Sequence, residues 1–461
     1  MKAKNNITRR GFLKNIGVAT SVLAFPSIIP ASVLGKNGAV APSERIQVAY
    51  ISCGGISVTG DRPFTENPHC QVVAACDPIR DRRVAKQTLI NKMIGKEKSI
   101  ENYKGVREYN DFRDVLASPD VDAVYVSTGD YWHVPISIAA AKAGKDMHTE
   151  KPLGLCIGQC LAMGRAVEKY NRVFQYGTEA RSFIHTRMAI ELVLNGHIGE
   201  VKEVYVWAPP GQSGGSATPV LPVPEGFDYD LWLGPAPEAP FCKDRWSQSG
   251  IYYIYDYAIG YIAGWGAHPI DMVQWWADKT GQGIPLEYEG TGTLPDSGLF
   301  NTIVHWDMTC RYRSGVTLHF MDQVSAKAKI SKDEKLTWDD KWEHGVIFVG
   351  TKGEVYLKRM AFKTNPMTLM KVAKNPGDIR LPASSDHNAN WIHCIKTREQ
   401  PVSDIYSAVK SDILCHLCDI SVRTGRKIRW DPVKETIVND PKAVKMMSRP
   451  MRAPYDKLML L

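Results

Sequence analysis

The sequence predicts an α/β protein with two parts: an N-terminal, doubly wound parallel sheet, followed by an α/β domain with a large, mostly antiparallel open sheet. Two observations carry this prediction. Up to about residue 176, short apolar strands alternate with helical segments, the order that produces parallel strands joined by helices. Beyond residue 200, β-rich stretches follow one another through short turns, which is typical of antiparallel sheets.

Five strands and one helix support the parallel sheet. The helix at 135–144 is apolar and closes at a glycine, a residue that commonly ends helices. Short apolar strands spaced by helical segments are typical of such a sheet. The strands are predicted at 44–52, 69–77, 121–128, 146–151 and 174–177.

A proline- and glycine-rich stretch at 208–240 separates the two patterns. It holds eight prolines and five glycines, a composition that excludes a regular core element and predicts a long crossing loop. A helical segment is predicted from about 389 to 425, before an irregular tail. The strands of the second part are predicted at 201–208, 301–312, 315–322 and 345–358.

The N-terminal residues have the composition of an export signal. Paired arginines, Arg9 and Arg10, precede Gly-Phe-Leu-Lys and a modestly apolar stretch at 16–29, a pattern that resembles a twin-arginine signal. Glycine, threonine, serine and proline interrupt the apolar run, which disfavours a stable membrane span. We therefore predict a signal segment at 1–40 and an exported, periplasmic protein.

Charge and cysteine spacing argue against a nucleic-acid partner and a metal site. Five of the charges behind the net +8 stand in the first fourteen residues, and no long basic run follows, whereas nucleic-acid binders present a clustered basic face. The ten cysteines lack the spacing of a disulfide-stapled domain, so buried free thiols are expected. Cys415 and Cys418 have zinc-like spacing, but no second such pair completes four ligands, so no metal site is predicted.

A glycine-containing turn after the first strand predicts dinucleotide binding. The stretch 52–57, Ser-Cys-Gly-Gly-Ile-Ser, lies where a Gly-x-Gly-x-x-Gly motif would cradle a pyrophosphate, with serines at the first and last glycine positions. The second strand ends at Asp77, where a carboxylate accepts hydrogen bonds from the adenosine ribose. The aspartate favours NAD, and the arginines within 80–83 keep NADP as the alternative.

Several further stretches resemble the Gfo/Idh/MocA family of NAD(P)-dependent oxidoreductases, in particular its branch that carries an export signal. Residues 149–154, Thr-Glu-Lys-Pro-Leu-Gly, look like the family's EKP motif, and 127–133 is similar to its loop after the fourth strand. The resemblance implies a Rossmann domain at 44–172 and a substrate and oligomerisation domain at 173–461. Other stretches that resemble the family lie at 177–183, 196–201, 227–241, 265–271 and 426–432.

The resemblance also implies the residues of the site. Lys151 would reach the nicotinamide ribose and the substrate hydroxyl, with Glu150 orienting it, because a lysine partly removed from water beside a cation can exchange a proton near neutral pH. His133 and Arg181 have structural alternatives, as a helix cap and as the partner of Glu179. The predicted catalytic residues are Lys151 and His268, and the predicted substrate-binding residues are Trp132, His133, Arg181 and Tyr257. The predicted cofactor-binding residues are Cys53, Gly54, Gly55, Ile56, Asp77, Thr128, His133, Glu150 and Lys151.

Position 264 departs from the family pattern. Much of the family carries an aspartate four residues before the histidine, where this chain has Gly264. The sequence leaves two explanations open. Tyr255, Asp256 or Tyr257 substitutes for the missing carboxylate, or the reaction differs from simple alcohol oxidation.

Pro269 predicts the start of a helix at the histidine. Proline suits the first helical position, so His268 would be the capping residue, held at the edge of the cleft and aimed outward. Asp271 would stand at the third helical position, where a carboxylate favours the helix N-terminus. A structural role for Asp271 is therefore expected.

The sequence thus predicts an exported oxidoreductase that acts on a sugar or sugar derivative with tightly bound NAD. One alternative is an NAD-dependent glycoside hydrolase or lyase that works by transient oxidation and elimination. A second is a non-catalytic nucleotide- or sugar-binding protein, which Ser52, Ser57 and Gly264 favour and Lys151 and His268 oppose. The expected partners are a small carbohydrate and other copies of the chain, which would meet through the C-terminal sheet.

Overall fold

The computed structural model describes residues 40–59, 64–372 and 375–461. The signal segment predicted at 1–40 lies outside the described residues, apart from Val40. The chain divides into two units at Arg45, and the described end of the first unit contains one 3₁₀ turn at Pro42–Glu44. All features below belong to the second unit, Ile46–Leu461.

The first sheet has six parallel strands in the order β3-β2-β1-β4-β5-β6. This is the doubly wound order of a Rossmann fold, in which the winding direction changes between β1 and β4. The prediction of a parallel N-terminal sheet is confirmed. The strands are β1 (Ile46–Ile51), β2 (Cys70–Cys76), β3 (Arg107–Tyr109), β4 (Ala123–Val126), β5 (Asp146–Thr149) and β6 (Phe174–Tyr176).

Helices connect these strands. The apolar helix predicted at 135–144 begins five residues earlier and passes through Pro135. The one backbone hydrogen bond that proline removes is offset by burial of the preceding turn, in which Tyr131 and Trp132 are buried. The helices are α1 (Gly55–Thr59), α2 (Arg80–Lys98), α3 (Phe112–Ala117), α4 (Asp130–Lys142) and α5 (Ile157–Tyr170).

The second sheet has nine strands in the order β13-β12-β11-β7-β10-β9-β8-β14-β15. β7 and β10 are parallel, and all other neighbouring pairs in this sheet are antiparallel, which confirms the predicted architecture. The stretch predicted as one strand at 345–358 is a hairpin of two. The strands are β7 (Val201–Ala208), β8 (Glu287–Thr293), β9 (His305–Arg311), β10 (Thr317–Asp322), β11 (Gly345–Gly350), β12 (Glu354–Lys358), β13 (Ala361–Asn365), β14 (Ile428–Asp431) and β15 (Thr436–Ile437).

Helices of the second part pack against both faces of this sheet, except that His387–Thr397 packs against the first sheet. They are α6 (Ile184–Leu194), α7 (Tyr229–Leu233), α8 (Gln248–Tyr253), α9 (Tyr261–Gly264), α10 (Ala267–Lys279), α11 (Gln323–Ile330), α12 (His387–Thr397), α13 (Ile405–Thr424) and α14 (Pro441–Lys445). Further 3₁₀ turns lie at Ala180–Ser182, Met367–Lys371 and Tyr455–Met459. No helix in the described ranges combines the length and the apolar character that a bilayer crossing needs.

Two predictions about this part are wrong. The stretch at 208–240 does contain a core element, because α7 buries Leu231, Trp232 and Leu233. The helical segment at 389–425 is two helices, since Arg398 takes a left-handed conformation that ends α12 and Asp404 caps α13 through the backbone N–H of Ser407.

Helix α10 begins at Ala267, two residues before the predicted start at Pro269. The short helix α9 runs almost directly into it, since Trp265 and Gly266 keep helical backbone angles. A side chain at Gly266 would meet the carbonyl oxygen of Ile262 at 2.1 Å, so only glycine fits this junction. His268 is therefore the second helical residue and not the cap, and Asp271 is the fifth.

Candidate active site

A cavity of about 530 Å³ opens at the carboxyl ends of the parallel strands. Its size lies within the range of about 300–1,000 Å³ that small-molecule and cofactor sites occupy. The crossing loop, α7 and α8 close it from the side of the second part, through residues such as Trp232 and Tyr252. Six of the predicted site residues line the cavity: Gly54, Gly55, Ile56, Asp77, Thr128 and Trp132.

The turn after β1 has the geometry of a dinucleotide-binding turn in spite of its two serines. Ser52 takes the first glycine position with φ of 82°, a left-handed conformation that glycine usually supplies. Ser57, at the last glycine position, is fully buried, and its hydroxyl donates to the carbonyl of Gly54 at 2.7 Å. The turn therefore keeps the backbone of a dinucleotide-binding turn, although its sequence matches the glycine motif only weakly.

Asp77 fastens this turn to the end of β2. Its carboxylate accepts the backbone N–H of Cys53 at 2.8 Å and that of Ile79 at 2.9 Å. Burial raises the pKa of Asp77, and the two backbone hydrogen bonds oppose the shift. Cys53 thus contributes its backbone, while its thiol faces the carbonyl of Cys76 at 3.5 Å.

One of the three arginines near Asp77 faces the cavity. Arg82 lines the wall with its guanidinium 5.6 Å from the centre of the Trp246 ring. Arg83 turns away and donates to Glu108 and Asn110. Arg82 is therefore the group that can meet a phosphate in this cavity.

Lys151 lies where the first sheet meets the second part. Its Nζ donates to the carbonyl oxygen of Gly264 at 2.6 Å. Burial lowers the pKa of Lys151, while Glu150 and Asp130 oppose the shift. A neutral amine is therefore more accessible near neutral pH than in a solvated lysine.

Glu150 supports Lys151 from behind. Its Oε1 accepts the hydroxyl hydrogen of Tyr125 at 2.8 Å and lies 3.8 Å from His148 Nε2. Burial alone would raise the pKa of Glu150, but His148, Lys151 and the Tyr125 hydroxyl outweigh burial and lower the pKa to about 2. Glu150 is therefore held as a carboxylate beside Lys151, the arrangement that an orienting group requires.

His268 is buried next to Lys151 rather than aimed outward, since only 5% of it is exposed. Its Nδ1 lies 3.2 Å from the carbonyl of Thr178, which can only accept, so Nδ1 donates and Nε2 is left as an acceptor. Burial, then the charges of Lys151 and Arg359, lower the pKa of His268 well below its usual value. The imidazole is thus a neutral hydrogen-bond acceptor.

Three of the predicted substrate-binding residues are structural instead. His133 is buried, with Nδ1 2.6 Å from the carbonyl of Pro152 and Nε2 3.1 Å from that of Thr128. It ties the loop after β4 to the residue that follows Lys151, so its predicted contacts with substrate and cofactor are replaced by internal ones. Tyr257 is fully buried, and its hydroxyl accepts from Arg245 at 3.1 Å.

Arg181 is the third of these residues, and its partner is Asp271 rather than Glu179. The guanidinium Nη2 lies 2.7 Å from Asp271 Oδ1, and both side chains are almost fully buried. Thr178 also donates its hydroxyl to Asp271, at 2.7 Å. The pair joins the entry of the second domain to α10 and confirms a structural position for Asp271.

None of the three residues proposed to replace the carboxylate at 264 reaches Lys151. Tyr255 donates its hydroxyl to Asp419 at 3.0 Å, and its ring lies between Arg423 and Arg449. Asp256 is exposed and lines a separate cavity of about 260 Å³. That hypothesis is wrong, because Tyr255 and Tyr257 bond to other groups and Lys151 donates to the carbonyl of Gly264.

Trp265 and His344 form a wall beside His268 that the sequence did not predict. The Trp265 ring lies 5.5 Å from that of His268 and 5.2 Å from that of His344. Both ring nitrogens of His344 are buried and have no hydrogen-bond partner among the described residues. Arg359 approaches Glu179 at 3.9 Å near the surface. No motif marks His344 or Arg359, since the second sheet brings them to the site.

Cys160, Asp412 and His416 form the metal-capable group found among the described residues, with donor atoms within 4.8 Å of one another. These donors hold the backbone after Lys151. Asp412 accepts from Tyr176 and from the N–H of Gly154, and His416 Nε2 lies 3.0 Å from the carbonyl of Gly154. The group therefore serves the loop after the EKP motif.

The fold and the cavity define a two-domain, dinucleotide-binding α/β protein. Residues 46–178 match the model described as the oxidoreductase family, NAD-binding Rossmann fold, and residues 201–457 match its C-terminal alpha/beta domain. The chain belongs to the Gfo/Idh/MocA oxidoreductase family, and its first part is an NAD-binding Rossmann domain.

Individual relatives are distant. A glycosyl hydrolase family 109 protein of Shewanella sp. strain W3-18-1 is 26% identical over 212 residues, which cover 43% of this chain and 45% of the relative. The match thus spans less than half the length of this curated relative.

Two solved structures share the fold. The aldose-aldose oxidoreductase from Caulobacter crescentus, complexed with glycerol, has a TM-score of 0.57 at 19% identity, over 84% of this chain and 99% of that one. The WlbA dehydrogenase from Bordetella pertussis, in complex with NADH and UDP-GlcNAcA, has a TM-score of 0.60 at 17% identity, over 84% and 98%. At these identities the likeness is one of fold.

Proposed function

We propose that this protein oxidises a sugar or sugar derivative with tightly bound NAD. The observation that carries the proposal is the meeting of a partly desolvated lysine, Lys151, with a neutral histidine, His268, beyond the dinucleotide cavity. A base that can take a hydroxyl proton near neutral pH is what alcohol oxidation requires.

The residues of the cavity fit the nucleotide. Gly54 and Gly55 carry no side chain, so the backbone of the turn after β1 can approach the nucleotide closely. A side chain at Gly54 would come within 3.1 Å of the Arg82 guanidinium. Arg82 would meet the pyrophosphate, and Asp77 would accept from the adenosine ribose hydroxyls. When bound, the nicotinamide supplies the redox chemistry, by accepting a hydrogen with its electron pair from a sugar carbon.

The wall beside His268 fits a sugar ring. Trp265 offers an aromatic face, which packs well against the carbon face of a pyranose. His344 has two buried ring nitrogens that lack partners among the described residues, so a sugar hydroxyl that reaches the ring would supply a missing hydrogen bond. Lys151 and His268 would share the hydroxyl at the carbon that is oxidised.

A second candidate is an NAD-dependent glycoside hydrolase or lyase. Gly264, which leaves Lys151 without the carboxylate found in much of the family, favours it, as does the similarity to a glycosyl hydrolase family 109 protein. In this reaction the sugar would be oxidised transiently, its substituent eliminated, and the redox change reversed before release. The same lysine and histidine would move the protons.

Location and assembly follow as proposals. The twin-arginine-like segment before residue 40 supports export to the periplasm, and a route that carries folded proteins would deliver the nucleotide already bound. The open sheet of the second part supports contacts between copies of the chain. Cell fractionation of a variant in which Lys replaces both Arg9 and Arg10 tests export. Light scattering of the purified protein tests assembly.

The nucleotide itself provides the test of the cofactor. We expect acid-denatured, purified protein to release NAD or NADH in near-stoichiometric amount, as identified by mass spectrometry. Protein that releases none and also fails to bind added NAD or NADP in calorimetry would refute both enzymatic proposals.

His344→Ala is expected to raise KM for the sugar about tenfold and to change kcat little. One hydrogen bond in a desolvated site contributes on the order of 1–1.5 kcal/mol, and it acts here on binding rather than on proton transfer. Steady-state kinetics measure the change. His393→Ala, at an exposed histidine, is the matched control, and an unchanged KM in His344→Ala would remove His344 from the substrate wall.

A further inference from the structure

Gly264 leaves Lys151 facing a carbonyl where much of the family has a carboxylate. A side chain at Gly264 is not sterically excluded, because its Cβ would meet the rings of Tyr252 and Tyr261 at 3.5 and 3.6 Å, ordinary contact distances. The glycine is therefore not required by the backbone or by packing. Glu150 already lies beside Lys151 as a carboxylate, but position 264 adds no second one.

Asp130 is placed to supply it. It is the first residue of α4, between Gly129 and Tyr131, which both line the cavity. It is 3% exposed, and its Oδ2 is buried with no hydrogen-bond partner among the described residues. Burying a carboxylate oxygen without a partner is costly, so such a group is expected to have a function.

The sheet brings Asp130 and Lys151 to the same edge. Strands β4 and β5 are neighbours, with Val126 paired to Thr149, so the segments that follow them leave the sheet side by side. His133, one turn along α4 from Asp130, reaches the carbonyl of Pro152 at 2.6 Å and holds the two segments together.

No ion pair joins the two side chains among the described residues, but the charge of each favours the ionised form of the other. Burial raises the pKa of Asp130 to about 8, against the pull of the Lys151 charge. In turn, Asp130 and Glu150 oppose the lowering of the Lys151 pKa by burial. The charged and titratable groups facing the two side chains are Glu150 behind the lysine, Asp412 on α13, Tyr252 on α8, Glu179 after β6, His268 on α10 and Arg359 after β12.

We propose that Asp130 is the carboxyl partner of Lys151, a positioning residue that takes the role left open at Gly264. The proposal rests on the proposed function. In the direction of oxidation, the neutral Lys151 amine accepts the proton of the substrate hydroxyl, and a bound nicotinamide would supply the oxidant. The Asp130 carboxylate stabilises the resulting ammonium, which then releases its proton to solvent and is restored as the neutral amine.

Competitive acetylation of lysines tests the pair without any substrate. Acetic anhydride reacts with the neutral amine, so the pH dependence of labelling, followed by mass spectrometry of the Lys151 peptide, reports the pKa of that amine. Loss of a nearby negative charge disfavours the ammonium. We therefore expect Asp130→Asn to move the Lys151 midpoint to lower pH by at least about one unit, a tenfold change in proton affinity. Exposed Lys332, in the same digests, is the internal control.

Activity provides the second readout. In Asp130→Asn we expect kcat to fall and the acid limb of the pH profile to move to lower pH with the labelling midpoint. Asp130→Glu, or Gly264→Asp added to Asp130→Asn, should return both towards the wild type. An unmoved labelling midpoint in folded Asp130→Asn overturns the pairing. A midpoint that moves in a protein that turns over no sugar supports the pairing and refutes the proposed function.

Discussion

Replacing Lys151 by alanine is expected to lower kcat/KM for the sugar by about 10²–10⁴-fold, the contribution of a positioned general base. The side chain donates to Gly264 and is only partly exposed, but its removal leaves the turn after β1 and the Rossmann sheet intact. The nucleotide content of the purified variant should therefore stay close to that of the wild type. Steady-state kinetics and the released nucleotide measure the two quantities.

Two variants separate proton transfer from charge. Lys151→Arg keeps a positive charge but cannot release its proton in the working range, so it should be nearly as slow as Lys151→Ala. Lys332→Ala, at an exposed lysine, should turn over like the wild type. Full activity in Lys151→Ala would refute the assigned role, and full activity in Lys151→Arg would limit that role to electrostatics.

Asp271→Asn is expected to lower the free energy of unfolding by about 3 kcal/mol, because it removes the nearest counter-charge of the buried Arg181 guanidinium and leaves Asp278 at 4.0 Å. Arg181 donates to the Asp271 carboxylate from Nη2 at 2.7 Å and from Nε at 3.0 Å, and both side chains are almost completely buried. The substitution keeps the shape of the side chain, so the loss reports charge rather than a cavity. Urea unfolding followed by fluorescence measures it.

An exposed ion pair serves as the control. Lys327 and Asp340 lie 2.7 Å apart on the surface, where solvent and salt screen such pairs and they add little to stability. Asp340→Asn should therefore unfold at nearly the wild-type midpoint. Equal losses of unfolding free energy in the two variants would mean that burial does not increase the contribution of the Arg181–Asp271 pair to stability.

Local sequence patterns were sufficient to predict the fold class, the turn after β1 and the position of Lys151. Strand periodicity located five of the six strands of the first sheet and missed the short strand Arg107–Tyr109. The serine-flanked glycine turn has the backbone of a dinucleotide turn, because Ser52 adopts the positive φ that glycine would. The EKP motif located Lys151, and burial lowers the pKa of its amine. These features depend on residues that are close in sequence or on one edge of one sheet.

Long-range pairing could not be predicted in the same way. Arg181 meets Asp271 across ninety positions, and that contact, invisible in the sequence, turned a predicted substrate ligand into a structural residue. His344 reaches the site because β11 lies beside β7 in the second sheet. Asp130 belongs to the 127–133 stretch that resembles the family, but burial of its Oδ2 without a partner depends on residues distant in sequence.

If bound NAD and Lys151 together oxidise a sugar, the purified protein reduces its own nucleotide when that sugar is added. The most direct measurement mixes the purified protein, loaded with its own nucleotide, with a panel of free sugars and aryl glycosides, and follows the absorbance of reduced nicotinamide together with aglycone release. We expect at least one sugar to reduce the bound nucleotide in the wild type, and none to do so in Lys151→Ala. Aglycone release without net reduction would assign the glycosidase reaction instead, and no change with any sugar, in protein that holds NAD, would contradict the account.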